Sequence, residues 1–247
     1  MELPTTRASA PDSLFEKCSW FYALCREYLF RDHTEEISQS LLPGGVVGPG
    51  SHLVELGCGP GFYSCKFAEA FPGLRATGVD LSERLLRRAQ RRAAVRKLDH
   101  CSFLRGDAHD LPLADKEADG VIVSRLFLII VTQREQVIAE VQRVLRDGGR
   151  CFIAEPTSGF RTRIPLALMW VLSRMTSSPA GTYREPRQAE VMSSAEFRAL
   201  VGSQEWASMQ FFDDGWYQYA VCEKACASGG LAVSVSESMH EVVGAGD

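Results

Sequence analysis

Residues 53–62, Leu-Val-Glu-Leu-Gly-Cys-Gly-Pro-Gly-Phe, run a short, mostly apolar stretch straight into three glycines at alternate positions. An apolar run of that length reads as a buried strand. The glycines after it suit a turn whose backbone must pass close to something else, because a Cβ would collide there. A helix beginning at the turn leaves unpaired N–H groups at its N-terminus, ready for a ligand. The spacing narrows the choice of ligand. A dinucleotide fingerprint needs G-x-G-x-x-G, whereas here the pattern is G-x-G-x-G and Phe62 stands where the third glycine would fall. An NAD-dependent Rossmann oxidoreductase is therefore the weaker alternative.

Around this turn the chain alternates strand and helix signals. Strands are expected at His52–Leu56, Ala76–Val79, Cys101–Arg105, Gly120–Ser124 and Arg150–Ala154, separated by helices of helical apolar spacing. Ser82 is a good N-cap, and Asp32/Glu35, Thr132/Glu135 and Ser193/Glu196 have capping-box spacing. Strands joined by helices of this length give parallel βαβ units with both sheet faces covered. Two final strands, Trp206–Asp213 and Trp216–Glu223, flank Asp214-Gly215, a hairpin signal. Ahead of the sheet, Asp12–Phe30 reads as an amphipathic helix, and a second helix runs from Asp32 to before Pro43. The expected organisation is one domain over 1–224, with cap helices at 12–42, a helical insert or lid at 160–190, and a tail at 225–247 without structure.

Two acidic positions follow the glycine turn. Asp80 closes the second strand about twenty residues on, where a carboxylate can accept both hydroxyls of a ribose. Asp107 follows the third strand in Gly106-Asp107-Ala108, where a carboxylate can meet an exocyclic amine. With these, Val54–Gly61, Gly78–Ser82, Gly106–Pro112, Asp119–Ser124 and Leu145–Pro156 stand in an order that resembles the class I S-adenosylmethionine-dependent methyltransferases. The subgroup it looks most like contains the ubiquinone- and menaquinone-biosynthesis C-methyltransferases.

The resemblance implies a Rossmann-like, doubly wound α/β sheet of seven strands, mostly parallel with an antiparallel last strand, plus N-terminal helices and a helical insert after the fifth strand. It implies S-adenosyl-L-methionine as the cofactor, S-adenosyl-L-homocysteine as its product, and a small-molecule methyl acceptor. Glu55, Gly57, Cys58, Gly59 and Gly61 fall on the motif that holds the methionine part, Asp80 on the ribose acid and Leu81 beside adenine. Asp107 and Ala108 fall on the adenine-amine site, and Ser124 and Arg125 on the strand end that faces the sulfonium. Tyr22 is the candidate for the aromatic residue covering the cofactor, and Arg31 for a partner of its carboxylate. Arg125 is also the candidate for orienting the acceptor, and His33 or His109 for a base, although a core or surface histidine is the plainer reading of each. Phe127, Trp170 and Tyr183 could supply aromatic walls.

Composition excludes some classes. A net charge of −4 over 247 residues speaks against a nucleic-acid partner, and the basic run Arg84–Lys97 reads better as a solvated helix face. The longest apolar runs, 121–131 and 164–172, are too short for a membrane span. Eight scattered cysteines without a CxxC pair, and a polar Met1–Pro11, suggest reduced thiols and a cytoplasmic protein, with no metal site. A cofactor-binding scaffold without catalysis is the other competing reading.

Overall fold

The computed structural model describes residues 19–28, 30–42, 48, 50–157, 191–226 and 234–237. Helices α1 (Ser19–Tyr28) and α2 (Thr34–Leu41) precede β1 (His52–Leu56), α3 (Phe62–Ala70), β2 (Arg75–Asp80), α4 (Glu83–Val95), β3 (Cys101–Arg105) and β4 (Ala118–Ser124). Then follow α5 (Arg134–Val144), β5 (Leu145–Pro156), α6 (Ser194–Val201), β6 (Ser208–Asp213), β7 (Tyr217–Glu223) and β8 (Ser234–Glu237). The expected insert at 160–190, with Trp170 and Tyr183, lies outside the described residues.

The strands form one sheet in the order β3-β2-β1-β4-β5-β7-β6-β8. The pairs among β1 to β5 are parallel, and β7 runs antiparallel to both β5 and β6. The seven-stranded Rossmann-like sheet is thus as expected. An eighth strand corrects the expectation for the tail, since Ser234–Glu237 pairs in parallel with β6. The sequence there, Val233-Ser234-Val235-Ser236, alternates apolar and polar residues with the period of a strand. The edge of β6 supplies the reason to pair, because an uncovered edge leaves a row of backbone donors and acceptors unmatched.

Helices α2 and α3 cover one sheet face, packing Ile37, Tyr63 and Phe67 against Phe152 and Tyr219. Ala93 of α4 joins Cys65, Ala68 and Ala76 beside them. On the other face Ile138, Val141 and Val144 of α5 meet Phe197 of α6 and Trp206. Ser82 caps α4 by accepting from Leu85 N at 3.3 Å, and Ser193 and Glu196 complete their capping box.

The other two boxes do not form. The N-cap of α2 is His33, because the Asp32 carboxylate accepts from Thr34 N at 3.0 Å and pairs with Lys66 on α3. The N-cap of α5 is Gln133, in the left-handed region. A lost cap costs ~1 kcal/mol, while burying one Val or Ile is worth ~1.5–3 kcal/mol. Val137, Ile138, Val141 and Val144 are wholly buried, so packing decides this helix.

The topology fixes where a ligand can sit. The sheet order reverses between β1 and β4, and open α/β sheets bind ligands outside the carboxyl ends at such a point. Leu56 pairs with Val79 and Val123, so the next level along the sheet holds Gly57, Asp80 and Ser124. Ser124 pairs with Ala154, and Ala154 with Tyr219.

Candidate active site

The glycine turn between β1 and α3 is built from three left-handed residues, with φ of 62° at Gly57, 52° at Gly59 and 69° at Gly61. Space reinforces that demand from the protein's side. A Cβ on Gly61 would lie 2.7 Å from the Phe103 ring and 2.8 Å from Ala89, and one on Gly57 would lie 2.8 Å from Leu126 Cδ1. The Asp80 carboxylate ties the turn to β2, accepting from Gly59 N at 2.8 Å and from Ser82 N at 2.8 Å. An ionised carboxylate has about four acceptor sites, and these two N–H groups take one on each oxygen.

Beneath the turn, Glu55 accepts from Ser64 N at 2.7 Å and Ser64 Oγ at 2.6 Å, fastening the first turn of α3. Burial pushes its carboxyl up, against those hydrogen bonds. Cys58 is 3% exposed and its Sγ sits where a Cβ on Gly78 would need to be. Desolvation holds the thiol protonated, so Cys58 contributes backbone and packing to the site.

Beyond β2, Leu81 is exposed beside Asp80. Asp107 Oδ1 takes the backbone N–H of His109 at 3.0 Å and faces its ring nitrogen at 2.7 Å. Burial opposes ionisation, but these hydrogen bonds hold the carboxyl below its ordinary range. The second His109 nitrogen faces Thr132 O at 3.3 Å, so His109 is a brace for this loop. Ala108 packs against the apolar layer.

At the end of β4 the chain bends through Arg125, whose φ of 60° is unusual for a side chain of that size. Arg125 N donates to Ala154 O at 2.8 Å, and the guanidinium stacks 3.3 Å from the centre of the Phe30 ring. Ser124 Oγ and Arg125 Nε are both buried and meet no hydrogen-bond partner among the described residues. Phe127 does not line an acceptor pocket. The bend carries it into the core, where it is 0% exposed and packs in the layer under α5 and α6.

His33 is wholly buried between α2 and the sheet, with its ring 4.5 Å from Tyr217 and 5.4 Å from Tyr219. Burial first, then the positive charges of Arg26, Arg31 and Arg125, lower its pKa to about 3, so it is a neutral imidazole. Arg31 is not held ready for a cofactor carboxylate. It is paired with Glu36 at 2.8 Å and with Asp214. Tyr22 lies in α1, but its side chain is outside the described residues.

Three contributors escaped the sequence reading. Glu155, at the end of β5, accepts from Phe127 N at 2.9 Å and Leu128 N at 3.2 Å and so holds the loop after β4; burial pushes its carboxyl up to about 7. Arg26 lies 7% exposed with its guanidinium 4.1 Å over Phe62 and 4.5 Å over Tyr63, at the start of α3. Its sign was available, because Arg26 falls at helical spacing between Tyr22 and Leu29, on the apolar stripe of α1. The third is the Tyr219–Asp214 pair, with Tyr219 Oη donating to Asp214 Oδ2 at 2.7 Å. Only the folded hairpin brings that pair under His33.

Comparison with known proteins gives a likeness at the level of the domain. Residues 53–149 match a family described as a methyltransferase domain. The chain is 33% identical over 126 residues to a ubiquinone/menaquinone biosynthesis C-methyltransferase of Paracoccus denitrificans, covering 51% of this chain and 48% of that one. It is 34% identical over 139 residues to a malonyl-[acyl-carrier protein] O-methyltransferase of Methylococcus capsulatus, covering 55% and 48%. The chain therefore spans about half the length of these relatives. Among solved structures, the phosphoethanolamine N-methyltransferase 2 of Haemonchus contortus, in complex with S-adenosyl-L-methionine, superposes with a TM-score of 0.64 at 14% identity. That match covers 91% of this chain and 62% of that one, and shows a shared fold.

Proposed function

We propose that this chain is a class I S-adenosylmethionine-dependent methyltransferase and transfers a methyl group from S-adenosyl-L-methionine to a small-molecule acceptor. The observation that carries the reading is the left-handed glycine turn clamped to Asp80 through Gly59 N. Gly57 to Gly61 would hold the methionine part against bare backbone, Asp80 the ribose, Leu81 and Asp107 the adenine. Arg26, above Phe62 and Tyr63 at the start of α3, is a better candidate than Arg31 for the partner of the cofactor carboxylate. When bound, S-adenosylmethionine supplies an electrophilic methyl group on a sulfonium, a good leaving group.

The protein's share is then mostly alignment and exclusion of water. Orientation of bound reactants can remove ~7–11 kcal/mol of barrier. Arg125 and Ser124, at the end of β4, are placed to orient the acceptor. A nucleic-acid acceptor is disfavoured, because Arg92, Arg96 and Arg87 of the basic helix are spent on Glu27, Glu69 and Glu83. Among the described residues no helix is long and apolar enough to cross a membrane. The two sequence relatives named above are by their names a C- and an O-methyltransferase, so the likeness by itself does not choose the acceptor atom.

Thermal melting with S-adenosylmethionine, S-adenosylhomocysteine and NAD tests the reading. Both adenosyl ligands are expected to raise the melting temperature and NAD to leave it unchanged. A response to NAD alone would make the chain an oxidoreductase, and no response at all a scaffold. Arg125→Ala should then leave homocysteine-ligand affinity within about twofold and raise the acceptor KM about tenfold or more, the loss of roughly one charged hydrogen bond.

A further inference from the structure

Near the glycine turn lies a second polar assembly around His33, the candidate base of the sequence, whose backbone N donates to Tyr63 Oη at 3.0 Å. Asp214, in the hairpin between β6 and β7, accepts backbone hydrogen bonds from Trp216 N at 2.8 Å and Tyr217 N at 2.7 Å, and pairs with Arg31. Its Oδ2 receives the Tyr219 hydroxyl proton at 2.7 Å. With its proton committed, Tyr219 Oη can only accept from His33 Nδ1, 3.4 Å away. That fixes the tautomer: Nδ1 carries hydrogen and Nε2 is a bare acceptor. Nε2 is buried and meets no partner among the described residues, and the same holds for Ser124 Oγ and Arg125 Nε. Ser124 and Tyr219 flank Ala154 at one level of the sheet, with Cα atoms on the order of 10 Å apart, two strand spacings. Buried polar atoms without partners are costly and ordinarily rare. Five such atoms are found among the described residues, the others being Arg26 Nη2 and Gln218 Oε1. The three on His33, Ser124 and Arg125 mark where a polar ligand group belongs.

We propose that His33 Nε2 receives the O–H group of the methyl acceptor, with Tyr219 and Asp214 as positioning residues behind it, so that this enzyme methylates a neutral phenolic or enolic hydroxyl compound at oxygen. The proposal rests on the cofactor reading above. As the acceptor oxygen forms its bond to the methyl carbon, the carbon–sulfur bond breaks and its electron pair goes to sulfur. The O–H proton passes to Nε2, and the sulfonium's positive charge ends on the imidazolium. Arg26, Arg31, Arg125 and burial disfavour that cation, whereas Asp214 favours it. A weakly basic imidazole still suffices for oxygen, because a proton on a newly methylated oxygen is far more acidic than an imidazolium. It does not suffice for an amine that arrives as an ammonium, which must give up a proton before its lone pair can attack the methyl carbon. The relay therefore selects hydroxyl over amine acceptors.

The test uses the full chain, selectively 15N-labelled at histidine and saturated with S-adenosylhomocysteine. The probes are 1,4-dihydroxynaphthalene and catechol, with benzylamine and benzoate as controls. The His33 resonances should report a neutral Nδ1–H tautomer, and Nε2 should shift with a hydroxyl probe and not with the controls. With labelled S-adenosylmethionine, methyl ether should form from a hydroxyl probe. His33→Gln should lower its kcat by 10²-fold or more, the usual share of a general base, while homocysteine-ligand affinity stays within about twofold. Tyr219→Phe and Asp214→Asn should lower kcat less and leave KM nearly constant. A protonated Nε2, hydroxyl probes that leave it unmoved, methylation of benzylamine or of ring carbon alone, or a His33→Gln enzyme with unchanged kcat would each overturn the proposal. Failure of the wild type to bind S-adenosylhomocysteine at all would instead overturn the cofactor reading.

Discussion

The two halves of the carboxyl end of this sheet are built on different principles. At β1 and β2 the chain makes its site from backbone: three left-handed glycines and one carboxylate bound to N–H groups of consecutive segments. At β4, β5 and β7 it makes the site from buried side chains, with Arg125 stacked on Phe30, Glu155 under the loop after β4, and His33 on Tyr219. The first half suits a ligand common to many proteins, because backbone geometry needs only glycine at fixed spacing. The second half suits a ligand particular to one, because each polar atom there is satisfied or orphaned by its own neighbours. Substitutions in the first half should therefore act on folding and cofactor affinity. Those in the second should act through protonation and acceptor.

The largest effect belongs to Gly61→Val. The added side chain must enter space 2.7 Å from Phe103 and 2.8 Å from Ala89, at a φ of 69°. Overpacking and the left-handed penalty together predict a loss of about 2–5 kcal/mol in urea unfolding. A loss under 1 kcal/mol would mean that the turn is not the rigid half.

Next is Glu155→Gln, which probes the other half by pH. The Glu155 carboxyl rises from an ordinary 4.5 to about 7 on burial. Below pH 4.5 it is protonated in folded and unfolded chains alike, and its contribution is fully present. As pH climbs through 4.5 to 7 the unfolded chain ionises first, so stability is lost, by about 3 kcal/mol in total. Unfolding free energies at pH 5 and pH 8 should therefore fall more steeply for the wild type than for the variant. Parallel curves would show that this carboxyl is not strained by burial.

Much of the first half was legible in the chain because its determinants are local. Gly57, Gly59, Gly61, Asp80 and Ser82 act within a strand, turn and cap, each read from spacing alone. The second half was not, because it is assembled across the chain. His33 and Tyr219 are 186 residues apart, and no periodicity links them. Phe127 looked like a pocket wall because the left-handed bend at Arg125, which turns it inward, leaves no glycine in the sequence to announce it. The unformed boxes at Asp32 and Thr132 teach the same lesson, since a cap signal yields when Lys66 or a buried apolar face competes for the segment.

Asp80→Ala should have a smaller effect than either. Loss of hydrogen bonds to a charged group costs ~1.5–3 kcal/mol, so S-adenosylhomocysteine affinity should drop by about 10- to 100-fold in calorimetry. Some of that loss comes from freeing Gly59 N, and Asp80→Asn, which keeps one acceptor oxygen, should recover part of it. Equal affinity in all three proteins would remove Asp80 from the ribose site.

The smallest effect is expected at Arg31, and it decides between the two cations of the N-terminal segment. The Arg31 side chain is 41% exposed and engaged by Glu36 and Asp214. Exposed pairs of that kind are worth about 0–1 kcal/mol. Arg26 is instead buried against Phe62 and Tyr63, where its charge bears on Glu55 under the turn. Arg31→Ala should thus leave S-adenosylhomocysteine affinity within about twofold and stability within about 1 kcal/mol. Arg26→Lys, which keeps a charge and loses the planar stack, should weaken the same affinity more than Arg31→Ala does. The reverse order would hand the cofactor carboxylate back to Arg31 and make its pairing with Asp214 a contact that the ligand displaces.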